Sequence, residues 1–264
     1  MRLAILALAL VLPTLPVAAH EFWFEPEDYT IAPDGQIRAR AINGENFFGI
    51  EYGYSEQGYR QSGIFAGDTR AAVTGTLGMK PAIQAAPLAE GLNVVYHASG
   101  AATLSYPTLA KFKIFLEGKR LEATLEEHAA KGFPKEDIRE VYFRFVKTLV
   151  GVGSGAGSDR AVGMSYELVA LTNPYTDNGD MRFRLLFRGA PEAGAPVFVF
   201  HKVGTEVEEL KLRTDANGEV SVPRQPGAFM VNAVHISEPD TRIREVTRAH
   251  WQTLWAALTY EIGG

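Results

Sequence analysis

The sequence predicts a mainly β fold in which two β-sandwich-like regions flank a helical insertion. Three observations predict it. Short segments that alternate apolar and polar residues recur between turns rich in Gly, Pro and Asn, the pattern of half-buried strands. Between about Tyr106 and Val150 the spacing of apolar residues changes to one that suits helices. Beyond the first residues, no apolar stretch reaches the roughly 20 residues needed to cross a bilayer as a helix.

The elements follow in order. Arg2 precedes an apolar run from Leu3 to Leu12, Pro13 and Pro16 break it, and Val17-Ala18-Ala19 supplies the small residues that a signal peptidase reads. Residues 1–19 are therefore expected to be a secretory signal peptide cleaved before His20. A turn at Pro33-Asp34-Gly35 leads into the alternating segment Ile37–Ile42, and Asn43-Gly44 and Phe48-Gly49 punctuate the chain again. Gly91 opens a strand in which Leu92, Val94, Tyr96 and Ala98 face one way and Asn93, Val95, His97 and Ser99 the other. Leu121–Lys131 reads as a helix that Gly132 ends, and Asp137 as the cap of a second helix carrying Ile138, Val141, Tyr142, Phe145 and Leu149 on one stripe. Gly151–Asp159 reads as a flexible linker or loop; no Gly-Lys-Ser/Thr ends it, so it is not a phosphate loop. Strands return at Met181–Phe187, Gly194–Phe200, Ala228–Ile236 and Leu254–Ile262, with a tight hairpin expected at Asn217-Gly218. The division expected is an N-terminal β domain over 20–105, a helical insertion and Gly-rich linker over 106–160, and a C-terminal Ig-like β domain over 161–264.

The 264-residue chain contains no cysteine and carries a formal net charge of −5. Disulfides, including a disulfide-linked partner, thiolate metal sites and thiol catalysis are excluded. Removal of Arg2 with the signal makes the charge about −6, which argues against nucleic acid as a partner. Export without cysteine points to a bacterial periplasm.

His20 is the residue with the sharpest chemistry. At a free N-terminus its α-amine and its ring Nδ1 close one chelate ring on a metal ion, which displaces any proton they hold. A tight site needs further ligands. His235 and His97 are the candidates, because both stand near strand ends, where a sandwich brings separate strands together. His128 lies on a Glu-rich helix and reads as solvated; His201 and His250 read as strand-end or packing residues. Glu21 points away from His20 along an extended chain and is left out of the ligand set. No Gly-x-Ser-x-Gly elbow or His-Glu-x-x-His helix is present, so no enzymatic activity is expected from motifs.

The start His20-Glu21-Phe22-Trp23 resembles the DUF4198 family of exported bacterial proteins. Further landmarks in order are the stretch from Glu140 to Lys147, Gly194–Val197, Thr214–Gly218, the segment from Pro226 to His235, and Trp251–Tyr260. The second half also resembles small Ig-like modules related to carboxypeptidase regulatory domains. The family resemblance implies a periplasmic component of nickel or cobalt uptake. The function expected is capture of Ni, Co or Cu by His20 with His235 and His97, and delivery to a membrane transporter. The alternatives are a structural or adhesion-type β-sandwich without metal, and a copper oxidoreductase built on a histidine brace.

Overall fold

The computed structural model describes residues 20–59 and 61–264; the expected signal peptide lies outside the described residues. The strands β1 (Glu21–Pro26), β2 (Thr30–Ile31), β3 (Ile37–Glu45), β4 (Phe48–Tyr52), β5 (Gln61–Ala66), β6 (Thr69–Ala72), β7 (Ile83–Ala85), β8 (Gly91–Ala98) and β9 (Ala102–Thr108) precede the helices α1 (Leu109–Gly118) and α2 (Ala123–Ala130). The strands β10 (Glu136–Val152), β11 (Tyr166–Ala170), β12 (Met181–Phe187), β13 (Ala190–Pro191), β14 (Pro196–Val203), β15 (Glu206–Arg213), β16 (Glu219–Val222) and β17 (Gly227–Ser237) follow. Helix α3 (Thr241–Thr247) and β18 (Trp251–Ile262) close the described chain. The fold is mainly β, with the longer helices inserted between β regions.

A ten-stranded sheet ordered β15-β14-β17-β18-β10-β8-β5-β6, with β2 and β9 also on β10, forms the centre. It draws strands from all three segments of the expected division. A four-stranded sheet, β11-β12-β13 with β16 on β12, packs on one face. Alternation along β18 shows how: Leu254, Ala256, Leu258 and Tyr260 join Leu168, Phe183, Leu185 and Val222 in one core. The intervening Trp251 and Trp255 pack instead with Phe112 and Phe115 of α1.

The second four-stranded sheet, β1-β3-β4 with β7 on β3, stands on that other face, with β1 lying over β10 and β18. Both of its faces are therefore apolar. Trp23 and Ile42 pack on Phe198, Phe200 and Met230. Phe24, Ala39 and Ala41 pack on Ile64, Val95 and Val146.

The second helix expected from Asp137 is instead β10, a strand of 17 residues. Its first part pairs antiparallel with β9, its middle in parallel with β18, and its end antiparallel with β8. A strand buried on both faces loses its polar alternation, so the apolar residues of β10 fitted a helical stripe by coincidence. The abundant β-branched and aromatic residues were the truer signal.

The Gly151–Asp159 segment is not a free linker. Asn173 Nδ2 donates to Gly155 O at 2.8 Å and to Gly157 O at 2.9 Å, and Leu92 N donates to Ala156 O at 2.8 Å. Turn positions shift as well. The first hairpin bends at Asn46-Phe47, both with positive φ (52° and 61°), as a two-residue loop between right-twisted strands requires. Gly44 and Gly49 lie inside the ladder, where the backbones approach so closely that a Cβ on Gly44 would sit 1.9 Å from Phe48 O. Asn217-Gly218 is a turn, but it carries the chain from β15 in the central sheet to β16 in another, rather than closing a hairpin.

Candidate functional site

The register of β1 on β3 sets the site. Glu21 pairs with Gly44 and Phe22 with Asn43, so the next pair outward is His20 beside Glu45. Strand alternation puts His20, Phe22, Asn43 and Glu45 on the face toward β8 and β10. His20 Nδ1 lies 3.2 Å from Glu45 Oε1, and both side chains are solvent-accessible. The backbone below is fixed: Arg144 Nη2 of β10 donates to His20 O at 3.1 Å. Glu21, on the opposite face, is buried and paired with Lys119 of the turn after α1.

The other two expected ligands lie elsewhere. His97 is buried, its Nδ1 2.8 Å from Ser62 Oγ, with the rings of Phe22, Phe24 and Tyr59 at 5.8, 5.8 and 4.9 Å. Burial, reinforced by the Arg144 charge, pushes its pKa down to about 4, so the ring is neutral. His235 stacks on Phe187 at 4.1 Å and its Nδ1 donates to Glu192 Oε1 at 2.6 Å, on the side of the β11-β12-β13 sheet. The structure thus does not bring His20, His97 and His235 into one ligand cluster. Among the described residues, no three or more His, Cys, Asp or Glu side chains gather where they could hold a metal ion.

The remaining histidines are structural. His128, expected to be solvated, is buried: Trp251 Nε1 donates to its Nδ1 at 3.0 Å, and its Nε2 donates to Pro134 O at 2.9 Å. His201 stacks on Phe229, and His250 Nδ1 accepts from Arg139 N.

Two residues escaped the sequence reading. Glu45 carried no local motif; only the hairpin register places it beside His20. Arg144 falls within the stretch expected to be a helix, yet it is half-buried in β10 between the rings of Phe22 and Tyr142, at 5.6 and 4.8 Å. It lines a cleft of about 290 Å³ beside the His20–Glu45 pair, together with Phe22, Asn43, Tyr52, His97 and Tyr142.

Fold and site together define a mainly β protein of several sheets, with its candidate donors gathered where the N-terminal sheet meets the central one. The chain belongs to the DUF4198 family: the family model described as "Domain of unknown function (DUF4198)" matches residues 17–237. No curated protein matches the chain. The matched region contains every residue of the candidate site and ends with β17, one strand short of β18, which completes the central sheet.

Proposed function

We propose that the protein is a periplasmic carrier of a transition-metal ion, Ni(II), Co(II) or Cu(II), and that removal of a signal peptide before His20 creates the carrier form. In the processed chain the α-amine and Nδ1 of His20 chelate the ion, and the Glu45 carboxylate supplies a third donor. The observation that carries this reading is the 3.2 Å approach of Glu45 Oε1 to His20 Nδ1. An ion takes the place of the proton between them. Two nitrogens and one oxygen suit these ions.

Glu45 replaces His97 and His235 in the ligand set, because Ser62 and Glu192 engage those rings. The same engagement leaves a copper-oxidoreductase brace without its second histidine. Three donors at an accessible edge favour reversible capture, which suits delivery to a membrane transporter. We read the protein as a carrier rather than an enzyme. The second half, in which β11, β12, β13 and β16 face β14, β15, β17 and β18, fits the Ig-like module expected there.

The test compares the chain that begins at His20 with one that carries a single extra residue before it. Calorimetric titration with each ion is expected to give tight binding only to the first. Equal affinities for the two chains refute the chelate. Glu45→Gln is expected to weaken binding about tenfold, the loss of one charged donor worth about 1.4 kcal/mol, without a change in thermal midpoint.

A further inference from the structure

Among the described residues, Arg144 is the only cationic side chain that lines the cleft, and no carboxylate lines it. Its nearby carboxylates are committed to other partners. Glu21 pairs with Lys119. Glu140 accepts from the hydroxyls of Tyr106 and Thr253. Arg144 forms no ion pair among the described residues, and its side chain makes one hydrogen bond, from Nη2 to His20 O. Its Nε is buried without a partner. The guanidinium is half-buried between the rings of Phe22 and Tyr142, so the charge sits where water solvates it poorly. A half-buried guanidinium without a counterion is costly, and a bound anion offsets that cost.

The walls define the rest of the ligand. Phe22 and Tyr142 hold the guanidinium between their rings. Tyr52 projects at the mouth, half-exposed, and continues a stripe along the edge strand β4 through Ile50 and Phe48, which are 71% and 65% exposed. Gly53, Gly58 and Gly100 add no side chain to the rest of the lining. A cleft of about 290 Å³ stands at the lower end of ligand pockets, which run from about 300 Å³ upward. The larger depression of about 540 Å³ near Arg70 lacks this character, because Arg70 is exposed and its charge is hydrated.

We propose that this cleft binds a small organic carboxylate with a flat or aliphatic apolar body, its carboxylate on the Arg144 guanidinium and its body against Phe22, Tyr52 and Tyr142. The site lies next to the His20–Glu45 pair but does not depend on a metal ion. Guanidinium recognises carboxylate with two parallel hydrogen bonds, a fork that lysine lacks.

The experiment titrates the processed chain, freed of metal by a chelating resin, with benzoate, hexanoate and the neutral benzamide in Tris chloride. Saturable binding of at least one carboxylate is expected, with benzamide at least about tenfold weaker than benzoate where benzoate binds. Arg144→Lys is expected to weaken carboxylate binding about tenfold, and Arg144→Gln to erase the preference over benzamide. Tyr52→Ala removes a wall that is half-exposed and outside the core, so it weakens binding without unfolding the protein and serves if the Arg144 variants do not fold. No saturation by either carboxylate, equal binding of benzoate and benzamide, or carboxylate binding that Tyr52→Ala leaves unchanged overturns the proposal. Because metal is absent, failure of the N-terminal chelate leaves this result unaffected.

Discussion

Glu140 provides a sharp test of the physical reading of the central sheet. Its side chain is fully buried in the middle of β10. Tyr106 Oη donates to Oε2 at 2.6 Å and the Thr253 hydroxyl donates to Oε1. Burial outweighs these bonds and the nearby Arg144 charge, and pushes the pKa up to about 7 from an ordinary 4.5. The folded protein therefore holds a proton that the unfolded chain releases between pH 4.5 and pH 7. The contribution is fully present below pH 4.5 and is lost as pH rises through 7. Two and a half pKa units correspond to about 3 kcal/mol.

His97 acts in the opposite sense over nearly the same window. Burial lowers its pKa to about 4 from 6.5, so its contribution is present above pH 6.5 and is lost as pH falls through 4. Its size is also about 3 kcal/mol. The two slopes nearly cancel in the native chain. Glu140→Gln removes one of them. The variant is expected to match the native protein near pH 4.5 and to exceed its stability by about 3 kcal/mol above pH 7. Urea unfolding at half-unit steps from pH 4.5 to 8 measures the difference. A difference that stays constant across the range, or that turns against the variant as pH rises, refutes the reasoning: the two hydroxyls would then outweigh burial and hold Glu140 as an ordinary carboxylate.

Three further outcomes follow from the packing. Lys147 Nζ lies 3.1 Å from Asp159 Oδ1 and 2.7 Å from Glu167 Oε1, all three side chains buried. Lys147→Met strands two carboxylates and is expected to cost about 3–5 kcal/mol, read as a lower urea midpoint. His128→Leu leaves Trp251 Nε1 and Pro134 O without partners, a loss of about 1–3 kcal/mol visible in thermal unfolding monitored by tryptophan fluorescence. Gly44→Ala drives a methyl into the facing backbone of the β3–β4 hairpin. It is expected to cost about 1–3 kcal/mol and to raise amide exchange selectively between Glu45 and Phe48.

The strands with one apolar and one polar face were legible in the sequence. Met181–Phe187 alternates because its sheet packs on one side only, and β12 has those bounds. The failures have two causes, burial on both faces and pairing at long range. β10 is covered on both sides, so its alternation vanished and a helical stripe took its place. His128 looked solvated among Glu126, Glu127 and Lys131, yet the helix turns it inward onto Trp251, more than a hundred residues away in sequence. His20 could be singled out by its position after an expected cleavage site. Glu45 could not, because its relation to His20 exists only through the register of two strands joined by residues 27–36.

That register also bears on the proposed role of a processed terminus as a metal ligand. Chain ends fray unless something ties them down, and a chelate on a frayed end forfeits affinity to the entropy of ordering it. His20 is tied on three sides: its carbonyl accepts from Arg144, its neighbour Glu21 is locked to Lys119, and Trp23 and Phe24 further along β1 are fully buried. The backbone that carries the amine and imidazole is thus ordered before any ligand arrives, while the ring remains accessible beside Glu45. Arg144 contributes both to this anchoring and to the adjoining cleft. Its replacement by Gln should therefore loosen the first residues, measured as faster amide exchange at Glu21 and Phe22, and weaken metal capture by the processed chain even though Arg144 itself touches no metal ligand's side chain. If exchange quickens while metal affinity is unchanged, preorganisation of the terminus is not what sets the affinity.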